Sequence, residues 1–256
     1  MAKRTLKRQL NLVQVIMLGT AGALGSGVFI LTGHAAGIAG PATVLAVIIA
    51  GLLSFSIALN YCELATTYPE TGGAMTYVRE AWGKGLLSFL VGSMDCISST
   101  FYCALSAVGF AYSLSVFIPT LPIVPVAIAA ILVFTLLNIL GVTNVGNAQI
   151  VMGLILLSAF AFYIIGGFVM PNGFDPKILL SDGKWFIGGN FGGNLFTIFR
   201  TIALIYALYV GFEVIADDAE EIKNPAKNIP SAIIISLIII TLIYSLSVTV
   251  ALGTSP

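Results

Sequence analysis

Along the chain, long apolar runs alternate with short polar breaks. The runs lie near residues 12–37, 41–67, 84–116, 121–141, 147–170, 196–221 and 228–252. Each has at least the ~20 residues that an α-helix needs to cross a bilayer. The breaks carry turn chemistry: Gly40-Pro41, Tyr68 to Gly73, Pro119 to Pro125, Asn144 to Asn147, a polar segment 171–194, and Asn224-Pro225. The ~10-residue alternating segments of a membrane β-barrel are missing. The pattern predicts an all-α membrane protein with seven spans. Lys3, Arg4, Lys7 and Arg8 before the first run imitate a signal peptide. That run is too long for one, and no small-residue cleavage site leads into a soluble domain, so it is read as a retained first span.

Composition agrees with the bilayer as main solvent. The chain is 58% hydrophobic and 9% charged, with mean hydropathy +1.04, against about 25% charged residues in a soluble domain. Eleven basic residues balance eleven acidic ones, and no basic stripe invites nucleic acid. Cys62, Cys96 and Cys103 sit inside apolar runs and are odd in number, which reads as buried thiols rather than a disulfide framework. His34 is the single histidine, so the sequence offers no metal-ligand cluster and implies no cofactor. With the N-terminus cytoplasmic, eight Lys and Arg fall inside and three (Lys177, Lys184, Arg200) outside or nearly so. The positive-inside rule therefore predicts a cytoplasmic N-terminus and, after seven spans, an outside C-terminus. The plasma membrane is the expected location.

Four features carry chemistry. In the first span stands Gly22-Ala23-Leu24-Gly25-Ser26-Gly27-Val28-Phe29. Each glycine costs a helix ~1 kcal/mol relative to alanine. Unwound backbone is tolerated at membrane depth where it lines a cavity or is buried in protein. A helix resuming near Val28 would turn free N–H groups and a positive dipole end toward a carboxylate. The same residues fit a small-residue packing stripe, Gly22 to Ser26, equally well. The second feature is Tyr209-Val210-Gly211-Phe212-Glu213 in the sixth span, followed by Asp217, Asp218, Glu220 and Glu221. An acid at membrane depth costs ~2.5–3.5 kcal/mol on insertion scales. Glu213 therefore reads as functional, and Glu220 and Glu221 as interfacial. Breaks in spans one and six are the spacing expected when five spans form one repeat and the sixth opens an inverted copy. Third, Asp95 lies within span three and serves either substrate or ion charge or a structural hydrogen bond, with Ser98 and Ser99 as local donors. Fourth, the loop 68–84 leads into a short amphipathic stretch where Arg79 could pair with Glu80 and Glu63, most simply as a solvated face.

With these residues in place, the chain resembles the amino acid–polyamine–organocation (APC) transporter superfamily. Three stretches carry the likeness. They are Leu24 to Phe29; Gly40-Pro41-Ala42 through Tyr61-Cys62-Glu63-Leu64-Ala65 to Tyr68–Gly73 and Tyr77–Gly83; and Gly211-Phe212-Glu213 with Ala219–Pro225 and Ile229-Pro230. The resemblance implies a LeuT-type fold of five-plus-five inverted repeats with discontinuous helices 1 and 6. On that reading residues 1–11 are a cytoplasmic segment, 12–170 the first repeat, 171–195 an extracellular loop, and 196–256 the start of the second repeat, truncated after helix 7. It implies a permease moving an amino acid by alternating access, with a coupling proton or sodium. Backbone at Gly25, Ser26 and Gly27 would hold the substrate carboxylate. Carbonyls near Ala21, Leu208 and Tyr209 would hold the ammonium, and Tyr209 and Phe212 would shape the side-chain pocket. Asp95 and Glu213 are the candidates for ion coupling. Some proton-coupled relatives carry a lysine in the fifth helix; here Asn147 to Met170 has none, with Leu156 near the expected place. A truncated, non-transporting membrane subunit or assembly partner is the competing expectation, and a passive solute channel a weaker third.

Overall fold

A computed structural model of the chain describes residues 7–25, 27–140, 142–170, 173–179 and 191–254. Among these the architecture is all-helical, apart from one isolated parallel bridge between Leu10 and Ile222. The helices are α1 (Leu12–Ala23), α2 (Gly27–Ala39), α3 (Ala42–Thr67), α4 (Gly73–Trp82), α5 (Leu86–Ser115), α6 (Ile123–Ile139), α7 (Val142–Val169), α8 (Pro176–Leu179), α9 (Phe191–Tyr206), α10 (Val214–Asp217) and α11 (Pro225–Thr254).

Among the described residues, five segments are long and apolar enough to cross a membrane: Ala42–Thr67, Leu86–Ser115, Gly146–Val169, Gly193–Asp217 and Pro225–Thr254. The first predicted span is instead two short helices, α1 and α2, and the fourth shortens to α6. The sixth ends at Asp217 rather than near 221, because Ala219–Glu221 turns into a single 3₁₀ turn. The amphipathic stretch after the first loop is helix α4. The expected extracellular loop falls partly outside the described residues, at 171–172 and 180–190, as do Lys3, Arg4 and Lys184.

The core lies where α11 packs along α3 and α1, with α9 and α10 closing against them. Burial separates the layers: 44% of the apolar window is buried in both α3 and α11, but only 6% in α5. Helices α5 and α6 pair through a small second cluster of Ala107, Ala111 and Ala127. Polar stitches fix the central register. The Ser236 hydroxyl of α11 donates to Ile16 O of α1 (3.0 Å), and the Thr43 hydroxyl of α3 donates to Ala35 O of α2 (3.0 Å). In hydrocarbon, buried polar groups find protein partners because no water is available.

One end of the molecule is latched by backbone pairing. The Gln9 and Leu10 N–H groups both donate to Glu221 O (2.8 and 2.9 Å), and Lys223 N–H returns a bond to Leu10 O (3.0 Å). Asn11 then caps α1 in a reciprocal box with Gln14, satisfying two helix-end donors at once. The Gln14 amide reaches on to Asn147 Oδ1 near the start of α7 (3.0 Å). Gly146 permits this approach, since a Cβ there would lie 2.9 Å from the Leu10 side chain. At the same end, Gly72 N–H donates to Asp217 O (3.3 Å) and Thr71 N–H to Glu220 Oε1 (3.4 Å), docking the first loop onto the sixth span's exit. Arg79 pairs with Glu70 (2.9 Å) and Glu80 (3.3 Å), so Glu70 takes the place expected of Glu63.

Leu10 is 3% exposed within this latch, whereas Leu52 on α3 is 64% exposed. Leu10→Ala is expected to cost about 2–5 kcal/mol, as core Leu→Ala changes do. Thermal unfolding in detergent micelles should show a clear drop for Leu10→Ala and almost none for Leu52→Ala; equal shifts would refute the latch's contribution.

Candidate functional site

Both glycine-bearing breaks are real interruptions of helix, and they meet. At the first, α1 ends as Leu24 N–H bonds Thr20 O (3.0 Å) and Gly25 N–H turns back to Ala23 O (2.9 Å). Helix α2 resumes at Gly27, with Val28 N–H reaching Gly25 O (3.3 Å). At the second, α9 passes into a 3₁₀ turn over Ala207–Tyr209, Val210 is extended, and Gly211 has φ +132°. Helical bonding restarts with Ile215 N–H to Phe212 O and Ala216 N–H to Glu213 O. Gly211 is required twice over. Its φ is one that L-residues rarely adopt, and a Cβ there would stand 2.7 Å from Ala23 N and 2.8 Å from Gly22 C.

A broken helix leaves carbonyls without their i+4 partners. Two tyrosines answer several of them. The fully buried Tyr244 hydroxyl of α11 shares its proton between Ala23 O (2.7 Å) at the first break and Leu208 O (3.0 Å) at the second. The Tyr102 hydroxyl of α5 donates to Gly22 O (3.2 Å). The sequence reading missed both residues. The available signal was a tyrosine inside an apolar run, whose hydroxyl needs a partner once buried.

Where the breaks face α5 they enclose a cavity of about 170 Å³, bordered by Ala23 and Gly25, by Ala207 and Leu208, and by Tyr102. Of the residues singled out from sequence, Gly25 and Leu208 share this cavity. Gly27 begins α2, and Ser26 lies outside the described residues. Ala21 is a half-buried member of α1's last turn, away from the cavity wall. Tyr209 points elsewhere: it is 1% exposed, donates to Val47 O in α3 (2.9 Å), and sets its ring edge-on to Tyr244 at 5.5 Å. Phe212 is buried and packs edge-on against Tyr61 at 5.9 Å. The Glu213 carboxylate accepts from Gly211 N–H (2.8 Å), bracing the turn. Asp95 is exposed on α5. Among the described residues no group of His, Cys, Asp and Glu could hold a metal ion.

Beyond the sixth span, burial pushes the Asp218 carboxyl up from the ordinary 3.8 to about 6, and the Glu221 charge adds to the effect.

The family model described as amino acid permease matches residues 14–256. The chain belongs to the amino acid permease family. It is similar to the branched-chain amino acid permease BcaP of Bacillus subtilis (strain 168), with 29% identity over 99% of this chain and 56% of the relative. It is also similar to cationic amino acid transporter 6, chloroplastic, of Arabidopsis thaliana, at 31% identity over 94% of this chain and 44% of the relative. The methylthioribose transporter of B. subtilis (strain 168) is 27% identical over 99% of this chain and 56% of the relative. The chain spans about half the length of the curated relatives it matches. As a member of the amino acid permease family it is an integral membrane protein and not an enzyme.

Three outcomes follow for this permease-family chain. Tyr244→Phe strips a shared donor from two buried carbonyls and should lower stability by about 1–2 kcal/mol, the upper range for polar contacts in membranes. Gly211→Ala, which meets both a strained φ and backbone atoms, should lower it further; thermal unfolding in micelles reads both, and the reverse order would refute the close contact. Asp218 holds its proton more tightly folded than unfolded, so the stability that proton contributes is present at low pH and lost as pH rises through about 6. Wild type should therefore lose melting temperature relative to Asp218→Asn between about pH 4 and 6, and no further above that. Parallel pH curves would show that Asp218 is not the titrating group.

Proposed function

We propose that the protein is a secondary active transporter that moves an amino acid across the plasma membrane by alternating access, with its substrate held where the two broken helices meet. The observation that carries this reading is a cavity bordered by both breaks, Ala23 and Gly25 on one side, Ala207 and Leu208 on the other. An α-amino acid presents a carboxylate and an ammonium a few ångströms apart. In this reading the backbone at Gly25, Ser26 and Gly27 takes the carboxylate, beside the start of α2, whose positive dipole end suits an anion. Carbonyls near Ala21, Leu208 and Tyr209, at the ends of α1 and α9, suit the ammonium. Backbone groups read only this common end, so side-chain choice falls to the cavity walls.

Membership of the permease family supports the reading. In it, residues 12–170 form the first five-helix repeat and 196–256 begin the inverted second repeat of a LeuT-type fold. Movement is a rocking of one helix bundle against the other about the fixed site. Unlatching of Leu10 from Ile222 frees α1 on the cytoplasmic side, where the N-terminus lies. Asp95 and Glu213 are the groups available for coupling to a proton or sodium ion, since intramembrane acids are costly unless used.

Radiolabelled amino-acid uptake by the purified chain in proteoliposomes, with and without an imposed proton or sodium gradient, tests the proposal. Saturable, gradient-driven uptake is the expected result. Binding without uptake would favour a non-transporting membrane subunit. Gly25→Val should abolish substrate binding while leaving membrane insertion intact, and unchanged binding in that variant would refute the carboxylate assignment.

A further inference from the structure

Val28 borders a second and larger cavity, of about 310 Å³, that Ala23, Gly25, Ala207 and Leu208 do not reach. Its walls come from α2, α7 and α11. Phe160 and Tyr163 stand well inside α7, which runs on to Val169, so the cavity lies within the spans rather than beyond their ends. Gly33, Tyr163 and Ala251 are exposed and form its open edge. At that depth the solvent outside the edge is hydrocarbon. No charged side chain among the described residues borders the space.

Three hydroxyls interrupt an otherwise apolar wall. Thr32 already donates to Val28 O within α2, and Tyr163 is 38% exposed at the open edge. Ser247 is different. It is 6% exposed, and its hydroxyl has no hydrogen-bond partner among the described residues. Elsewhere along α11 hydroxyls fall back on the carbonyl one turn earlier, Thr249 on Ser245 O and Thr254 on Val250 O, both at 2.7 Å. Ser247 makes no such bond, and leaving a buried hydroxyl unpaired costs about 1–3 kcal/mol.

We infer that this cavity binds an uncharged, largely apolar molecule carrying one hydroxyl, either a free alcohol or the hydroxyl end of a lipid, with Ser247 as its hydrogen-bond partner. A ligand hydroxyl both donates and accepts, so it can take either role toward Ser247, whose own hydroxyl turns about a single χ1 bond. The apolar body packs against Val28, Phe160, Val248 and Leu252. A dry cavity of ~150 Å³ already admits benzene, so the volume here suffices for a chain of several carbons. The inference is independent of the amino-acid reading, because none of the residues assigned to the substrate borders this space.

The test uses the full chain in phosphatidylcholine nanodiscs, photolabelled with azioctanol and mapped by mass spectrometry. Label should fall on the cavity wall, at residues such as Phe160, Tyr163 and Leu252, and octanol should suppress it. Nonane matches octanol in heavy atoms but has no hydroxyl. It should compete about two- to tenfold more weakly at equal bilayer concentration, the range of one net hydrogen bond. Equal competition by nonane, or label spread evenly over the exposed faces of α5 and α7, would overturn the inference. Dioleoylglycerol in the bilayer separates the two sources: competition identifies a lipid hydroxyl, its absence a free alcohol, and either agrees with the proposal. Ser247→Ala should weaken octanol by about the same two- to tenfold factor and leave nonane unchanged; an equal loss for both probes would overturn the role of Ser247. Gly33→Phe fills the space instead. A Cβ at Gly33 would meet no atom within 4 Å, so the ring enters without displacing backbone. It should abolish the octanol-protected label, and label surviving at the same residues would overturn the site.

Discussion

The structure depends on one constraint: backbone polar groups at membrane depth must find partners inside the protein. Two helices are broken here, so two sets of N–H and C=O groups are released where no water can meet them. The breaks are placed against each other, with Gly211 lying on the Gly22–Ala23 peptide closely enough that a Cβ would be 2.8 Å from Gly22 C. Tyr244 closes the arrangement by donating to a carbonyl of each break. Tyr209 anchors the second break to α3 through Val47 O. Beside the start of α2 the breaks border a cavity, which is why the binding proposal falls there.

The same economy governs the latched end. Leu10 and Ile222 pair as a bridge, and the first loop docks its Gly72 and Thr71 N–H groups on the exit of the sixth span. These contacts tie the start of the first broken helix to the end of the second. Any motion that swings α1 away from the bundle must release Leu10, Gln14 and their partners together, and each is a small, reversible hydrogen bond. A contact made of several such bonds is specific and still reversible, since each contributes only about 0.5–1.5 kcal/mol net.

Among the described residues, no charged side chain lines the cavity. Glu213, read from sequence as an intramembrane functional acid, has its carboxylate occupied in bracing the Gly211 turn. Asp217 and Asp218 sit at the end of the sixth span, where the loop and the 3₁₀ turn cover them. Asp95 stands on α5, a helix whose surface is largely unburied in this chain. Among the described residues the acids therefore stand around the broken helices rather than in the lining of the cavity between them.

Much was legible in local sequence. Apolar runs, turn residues and the glycine clusters determined that the chain is helical and a membrane protein, and pointed to interruptions of the first and sixth spans, which the structure has near Leu24–Gly25 and at Gly211. These are properties of windows of a few residues to about twenty, the range over which hydrophobicity and glycine's conformational freedom act. Tertiary structure alone decided the partners. Tyr244 reaches Ala23 across 221 positions and Leu208 across 36, and Tyr102 reaches Gly22 across 80. Tyr209, expected from the resemblance to shape the pocket, is turned instead toward Val47. A hydroxyl's need for a partner is written in the sequence. Which carbonyl it finds is set by how the helices pack, because hydrogen bonds act over about 3 Å in space and carry no record of separation along the chain.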